Sequence, residues 1–185
     1  MKTNKSNYRS FAVIILITAF LLLIPLLAMQ FTDEVTWSLF DFAVAGVLLS
    51  GTGFTYQLVT KKAGNITYRA AAGVALATGL FMVWSNLAVG IIGSEDNSAN
   101  WMYIGVLAVG IIGAAIARLQ PQKMSYALFA TALANLLVTV IALIAQLGYP
   151  DSGPREILII NGFFIALWVG SALLFWNSNR KQAAA

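Results

Sequence analysis

Long apolar runs alternate with short polar joints along the whole chain. Each run is long enough for a helix to cross about 30 Å of hydrocarbon at about 1.5 Å per residue. The joints are only a few residues long, so none of them can hold a folded domain outside the membrane. The pattern predicts an all-α integral membrane protein that forms one domain over residues 1–185. We expect six spans, at residues 10–30, 36–58, 69–92, 101–119, 125–147 and 156–177.

The first apolar run follows a basic segment that carries Lys2, Lys5 and Arg9, as the apolar core of a secretory signal would. The run from Phe11 to Met29 exceeds the roughly 7–15 apolar residues of such a signal. Its end, Leu-Leu-Ala, is also a poor cleavage site. We therefore expect this run to be retained as the first transmembrane helix.

The charged residues separate into two groups. With the N-terminus in the cytoplasm, all Lys and Arg residues except Arg155 fall on the cytoplasmic side. All seven acidic residues fall outside or in the outer half of the membrane. This distribution follows the positive-inside rule and predicts three antiparallel hairpins with both termini in the cytoplasm. Aromatic residues typical of a membrane interface stand at the outer boundary, namely Trp37, Trp101, Tyr103 and Tyr149.

A heptapeptide repeat lies in the middle of the chain. Leu87–Gly93 recurs letter for letter as Leu107–Gly113, with Glu95 and Asp96 between the copies. In the predicted topology the first copy ends the third span and the second lies midway along the fourth. The copies therefore run in opposite directions at different depths. We interpret their glycines as packing positions; whether the hairpins are true internal repeats stays open.

The composition excludes several kinds of chemistry. The chain is 59% hydrophobic and 10% charged, whereas soluble domains carry about 25% charged residues. It contains no cysteine and no histidine, which excludes disulfides, thiol nucleophiles, Cys/His zinc sites and Ser–His pairs. The sequence also lacks a phosphate-binding glycine-rich loop ending in Gly-Lys. We expect no enzymatic activity, no cofactor and no nucleic-acid partner.

Polar residues inside the predicted spans are the candidates for a ligand or pathway site. Asp41 is the only carboxylate well inside a span, and a charge at that depth is a functional hypothesis. Asn86 and Asn161 have a similar predicted depth, so the three residues are expected to line a pocket open to the outside. The alternative for Asp41 is structural, because an anion near a helix N-terminus is stabilised by the helix dipole.

A second polar set lies on the fifth span, where Thr131, Asn135 and Thr139 share one helix face. Such side chains either join neighbouring helices by hydrogen bonds or line a pathway. Trp84 and Trp168 lie deeper than the interface aromatics. We expect each indole N–H to bond to a neighbouring helix.

Two pairs of acidic residues occupy the outer joints. Paired carboxylates can bind divalent cations, but the spacing matches no calcium-binding loop, so we expect solvated loops and no metal site. The weak metal candidates are Asp33, Glu34, Glu95 and Asp96.

Small residues form stripes on several spans, where they permit close helix contact. Such a stripe fits either a tight monomer or an interface with another subunit. The partners expected are membrane lipids, and either a second copy or a larger membrane protein. The stripe positions are Gly46 and Ser50, then Gly110 and Gly113, then Gly162, Ala166 and Gly170.

The segments FTDEVTWSLFDF, residues 31–42, and NLAVGIIGSEDN, residues 86–97, resemble those of a group of small bacterial inner-membrane proteins with six helices. The resemblance implies the bacterial cytoplasmic membrane and supplies no function. Two hypotheses follow from the residues. The first is a permease or channel component that moves a small solute or ion past the outward polar pocket. The alternative is a non-transporting structural or accessory subunit that binds a membrane protein or lipid through its Gly/Ala faces.

Overall fold

The computed structural model describes residues 2–33, 35–61, 63 and 65–183. Six helices in this part are long and apolar enough to cross a membrane, as the sequence predicts. The fourth reaches that length together with a preceding 3₁₀ turn, Ser98–Trp101. Glu34 and Lys62 lie outside the described residues. The helices are α1 (Lys2–Phe31), α2 (Leu39–Thr60), α3 (Ile66–Ala88), α4 (Met102–Ala117), α5 (Pro121–Ile144) and α6 (Pro154–Ala183).

Helix α3 is shifted from its predicted bounds at both ends. It begins earlier because Asn65 acts as its N-cap, its side-chain oxygen accepting the backbone N–H of Tyr68 at 2.8 Å. It also ends earlier, at Ala88, because Gly90 has φ +74°, a left-handed conformation that interrupts the helix. The expected span through residue 92 is therefore wrong at its end.

The helices group into two compact units, Met1–Leu58 and Val59–Ala185. In the first unit, α1 and α2 contact each other through small residues of α2. A side chain at Gly53 would meet Ile14, and one at Gly46 would touch Leu22. The rings of Phe11 and Phe54 stack at 5.1 Å nearby. Gly46 is thus a packing position, as the sequence predicts.

The second unit holds the other four helices. In it, α6 packs against both α3 and α5, and α4 packs against α5. Ser171 on α6 donates its hydroxyl to the carbonyl of Ala71 on α3 at 2.8 Å. The core between the helices is closely filled by side chains that are nearly inaccessible to solvent, including Met82, Val106, Phe164 and Phe175.

Two glycines of α4 offer a matched test of this packing. A Cβ on Gly113 would lie 2.8 Å from Cβ of Ala127 on α5, whereas a Cβ on Gly105 would meet nothing within 4 Å. We expect Gly113→Ala to push α4 from α5 and lower the thermal unfolding midpoint by several degrees, because overpacking costs about 1–3 kcal/mol. Gly105→Ala should leave it unchanged or slightly higher. Equal midpoints for the two variants would contradict the close contact at Gly113.

Candidate functional site

The segment after α3 contains the first copy of the repeat in a form that differs from the second copy. In the second copy all seven residues continue helix α4. In the first copy the helix stops at Ala88, and both Gly90 and Gly93 take positive φ, +74° and +70°. The turn directs Ile91 and Ile92 into the core, where they are 2% and 0% exposed. The same seven letters therefore form a helix in one place and a folded loop in the other.

Asn100 holds this loop in its folded form. Its Oδ1 accepts the backbone N–H groups of Ile91 and Ile92 at 3.0 and 2.9 Å. Its Nδ2 donates to the carbonyls of Ile92 and Ser94 at 3.2 and 2.8 Å. One buried amide thus supplies the partners that an interrupted helix leaves missing. Asn100 was not among the candidates, and its only signal in the sequence is a place in the polar joint after Gly90 and Gly93.

The loop is also joined to the connection between α5 and α6. The N–H of Gly93 donates to Ser152 Oγ at 2.7 Å, and Asn97 Nδ2 donates to the carbonyl of Leu147 at 2.7 Å. We call this part of the second unit, residues 89–100 with 145–153, the loop end. The opposite end is joined separately, by Tyr68 donating to the carbonyl of Leu119 at 2.9 Å.

A cleft of about 290 Å³ opens at the loop end, between the last turns of α3, the folded loop and the start of α4. We call it the loop-end cleft. Val83 and Asn86 come from α3, Glu95 and Trp101 from the loop and the 3₁₀ turn, and Tyr103 from α4. The indole of Trp101 is widely exposed, at 73% of its surface, whereas Tyr103 is 1% exposed. The cleft therefore has an open aromatic rim and a buried floor.

Besides the indole N–H of Trp101, the polar side chains of the cleft that keep a free group are Asn86 and Glu95, and both offer acceptors. Asn86 donates its Nδ2 to the carbonyl of Met82 at 2.9 Å, but its buried Oδ1 has no hydrogen-bond partner. Glu95 is exposed and adds a carboxylate. By contrast, the side-chain oxygen and nitrogen of Asn100 and Asn97 are already bonded to the loop and its neighbours. The cleft thus presents hydrogen-bond acceptors next to an aromatic ring.

A chain of three buried polar side chains starts at the floor of the cleft. Tyr103 donates its hydroxyl to Asn161 Oδ1 at 2.8 Å, and Asn135 Nδ2 donates to the same oxygen at 2.9 Å. Asn161 completes its bonding by donating Nδ2 to the carbonyl of Ile157 at 3.0 Å. We call Tyr103, Asn161 and Asn135 the buried polar chain; it links α4, α6 and α5. Tyr103, which the sequence places at the outer membrane boundary, is thus buried among the helices.

The threonines on either side of Asn135 do not extend this chain. Thr131 and Thr139 are buried, but each donates its hydroxyl to a carbonyl of its own helix, to Ala127 at 2.9 Å and to Asn135 at 2.8 Å. Asn135 Oδ1 is left without a partner. The predicted indole bond of Trp168 to a neighbouring helix is wrong, because its buried Nε1 also has no partner.

Asp41 belongs to the first unit, where it lies in the first turn of α2. Its Oδ2 accepts both the N–H and the hydroxyl of Ser38 at 2.7 Å, and its own N–H donates to Ser38 Oγ at 3.3 Å. This reciprocal arrangement is a capping box. Asp41 therefore caps α2, and its part in a ligand or pathway site stays a prediction. Asn86 and Asn161, in contrast, lie in the second unit on either side of Tyr103.

The remaining candidates are small residues and carboxylates. Gly110 and Gly113 face Thr131 and Ala127 of α5, so their stripe is used within the second unit. Ser50 donates back to the carbonyl of Gly46 at 2.5 Å. On α6, side chains at Gly162 and Gly170 would meet nothing within 4 Å, and Ala166 between them is exposed. Among the residues that the structure describes, which include Asp33, Glu95 and Asp96, no group of three acidic side chains is arranged to hold a metal ion.

Comparison with known proteins adds no family to this description. No protein-family model matches the chain, and no curated protein or solved structure is significantly similar to it.

Proposed function

We propose that the protein is a small permease or channel component of the bacterial cytoplasmic membrane. Its helices form three antiparallel hairpins in one membrane domain, and both termini lie in the cytoplasm. This topology turns the loop end outward, so the loop-end cleft receives its solute from outside. The observation that carries the proposal is Tyr103. Its side chain lines the cleft while its hydroxyl is bonded to Asn161, so the outer site leads directly into buried polar groups.

Tyr103 belongs to a closely packed core with Met82, Val106 and Phe164, each at most 1% exposed. Passage therefore requires the buried polar chain to rearrange. Asn135, the last residue of the buried polar chain, favours this rearrangement, because its Oδ1 is a buried acceptor without a partner. Such a group costs about 1–3 kcal/mol, and a water or solute that enters would remove that cost. We interpret the structure as an outward-facing state closed toward the cytoplasm.

The absence of cysteine allows a test that needs no knowledge of the solute. We expect Asn135→Cys, in membranes, to react with a membrane-impermeant, positively charged methanethiosulfonate reagent added from outside. A thiol reacts as the thiolate, which forms only where water reaches it. The extent of modification with time, measured by mass spectrometry, gives the accessibility of the pathway.

Two further single-cysteine variants serve as controls for the rate of modification. Glu95→Cys, at the exposed rim, should react at once and gives the upper limit of the modification rate. Val138→Cys, buried on the same helix and outside the polar chain, sets the lower limit. If Asn135→Cys reacts no faster than Val138→Cys, the interior is a dry bundle and the pathway proposal fails.

A second function is favoured by the open stripe on α6. We infer that a non-transporting accessory subunit would use Gly162, Ala166 and Gly170 to contact another membrane protein or lipid. Gly46, Gly110 and Gly113 each face a side chain of their own unit, whereas no described residue of another helix lies within 4 Å of a Cβ placed at Gly162 or Gly170. An unreactive Asn135→Cys would favour this function over transport.

A further inference from the structure

We propose that the loop-end cleft binds a primary ammonium group, carried either by a small free amine or by an ethanolamine lipid headgroup. The inference rests on the proposed function in that it names the solute class for the same cleft. Binding itself requires no transport, so the two proposals can fail separately.

The lining of the cleft determines the sign of the ligand. Glu95 contributes a carboxylate, and the described residues that line the cleft include no Lys or Arg. Around it, the loop end carries three carboxylates, of Glu95, Asp96 and Asp151, and the first turn of α6 that follows adds Glu156 and one guanidinium, of Arg155. Two helix termini of opposite dipole meet here, the C-terminus of α3 and the N-terminus of α4, so neither decides the charge. The side chains therefore favour a cation.

Asn86 determines that the cation should carry N–H groups. Asn86 lines the cleft, and its Oδ1, which solvent does not reach, is an acceptor without a donor, so a ligand bonds it once the amide turns toward the cleft. A primary ammonium supplies three donors: one can satisfy Asn86, and another can bond the carboxylate of Glu95. A quaternary ammonium of similar size supplies none. The site should therefore distinguish ethanolammonium from choline.

Trp101 provides the remaining contact. Its exposed indole forms the rim of the cleft, and an indole face attracts ammonium groups of either kind. The volume of about 290 Å³ lies at the lower end of small-molecule sites. It suits a ligand of a few heavy atoms or a single lipid headgroup.

The test measures binding of ethanolammonium and choline to the full chain in nanodiscs of phosphatidylcholine and phosphatidylglycerol by ligand-observed NMR. Ethanolammonium should bind more tightly. Asn86→Leu should weaken it about tenfold and leave choline unchanged, because one charge-assisted hydrogen bond is lost. Asn86→Asp, which keeps the acceptor and adds a charge, should tighten it. Trp101→Ala should weaken both cations.

A structural role for Asn86 would not produce opposite effects of Leu and Asp. Adding phosphatidylethanolamine to the nanodiscs separates the two sources: loss of ethanolammonium binding identifies the lipid headgroup, and unchanged binding identifies the free amine. Equal affinity for both cations, no binding, or no response to the Asn86 variants would overturn the inference. If Asn135→Cys is nevertheless reactive, the solute class is wrong and the pathway stands.

Discussion

Replacing Asn100 by alanine should lower the thermal unfolding midpoint by roughly 10 °C, the expected result of losing about 3 kcal/mol in a domain of this size. The variant deletes four hydrogen bonds and leaves the N–H groups of Ile91 and Ile92 buried without acceptors. Each unsatisfied buried group costs about 1–3 kcal/mol. The loop would then release two buried isoleucines, which adds the loss of apolar burial.

The measurement is tryptophan fluorescence on heating in detergent. Thiol-reactive unfolding dyes would report nothing because the chain lacks cysteine, while its five tryptophans are an internal probe. Asn177→Ala, an exposed asparagine on α6, is the control and should change the midpoint little. Asn100→Asp keeps the two accepted bonds but sets a buried carboxylate oxygen against the carbonyls of Ile92 and Ser94, so its midpoint should also fall well below that of the unmodified protein. A midpoint for Asn100→Ala that matches the control would show that the loop is held by other contacts.

The sequence was sufficient to predict the six helices because their signal is local. An apolar run of about 20 residues has few alternatives once backbone groups must be bonded without water. Packing at Gly46, Gly110 and Gly113 was predictable for the same reason, since small residues spaced along one face permit close contact. The spacing did not reveal that Gly162 and Gly170, unlike these glycines, face no neighbouring helix of their unit. A stripe of small residues does not specify which surface packs against it.

The folded loop was not predictable, because the side chain that holds it, Asn100, lies outside the heptapeptide whose conformation it determines. Leu87–Gly93 and Leu107–Gly113 are identical, so no property of the seven residues distinguishes their two conformations. The difference comes from Asn100, eight and nine residues away, whose amide bonds the interrupted backbone. The cleft exists only because that loop folds, and so it too was beyond sequence reasoning.

The buried polar chain shows the same dependence on tertiary structure. Asn135 and Asn161 were identified from their depth in the predicted spans. Their partner Tyr103 was assigned to the interface because its position next to Trp101 resembles an aromatic belt. Only the packing of α4 against α5, and of α5 against α6, brings its hydroxyl to Asn161. One amide oxygen thus accepts from two helices at once.

Because Asn161 Oδ1 accepts two hydrogen bonds, we expect leucine at position 161 and leucine at position 135 to affect stability to different extents. Asn161→Leu would leave the Tyr103 hydroxyl and Asn135 Nδ2 without their acceptor. We expect the unfolding midpoint to fall by roughly 5–10 °C, because two buried donors lose their partner. Asn135→Leu removes one bond, worth about 0.6 kcal/mol in a membrane bundle. It also removes an acceptor that has no partner, so the midpoint should stay within about 2 °C.

The double variant tests whether the two effects share one cause. Once Asn135 is leucine, Asn161→Leu leaves only the Tyr103 hydroxyl without a partner, so it should cost less than it does alone. Such non-additivity is the signature of residues in one network. If Asn135→Leu destabilises the protein as much as Asn161→Leu does, then Asn135 Oδ1 has a partner in the membrane. Its buried carbonyl would then no longer favour an opening of the interior, and the pathway proposal would lose its physical basis.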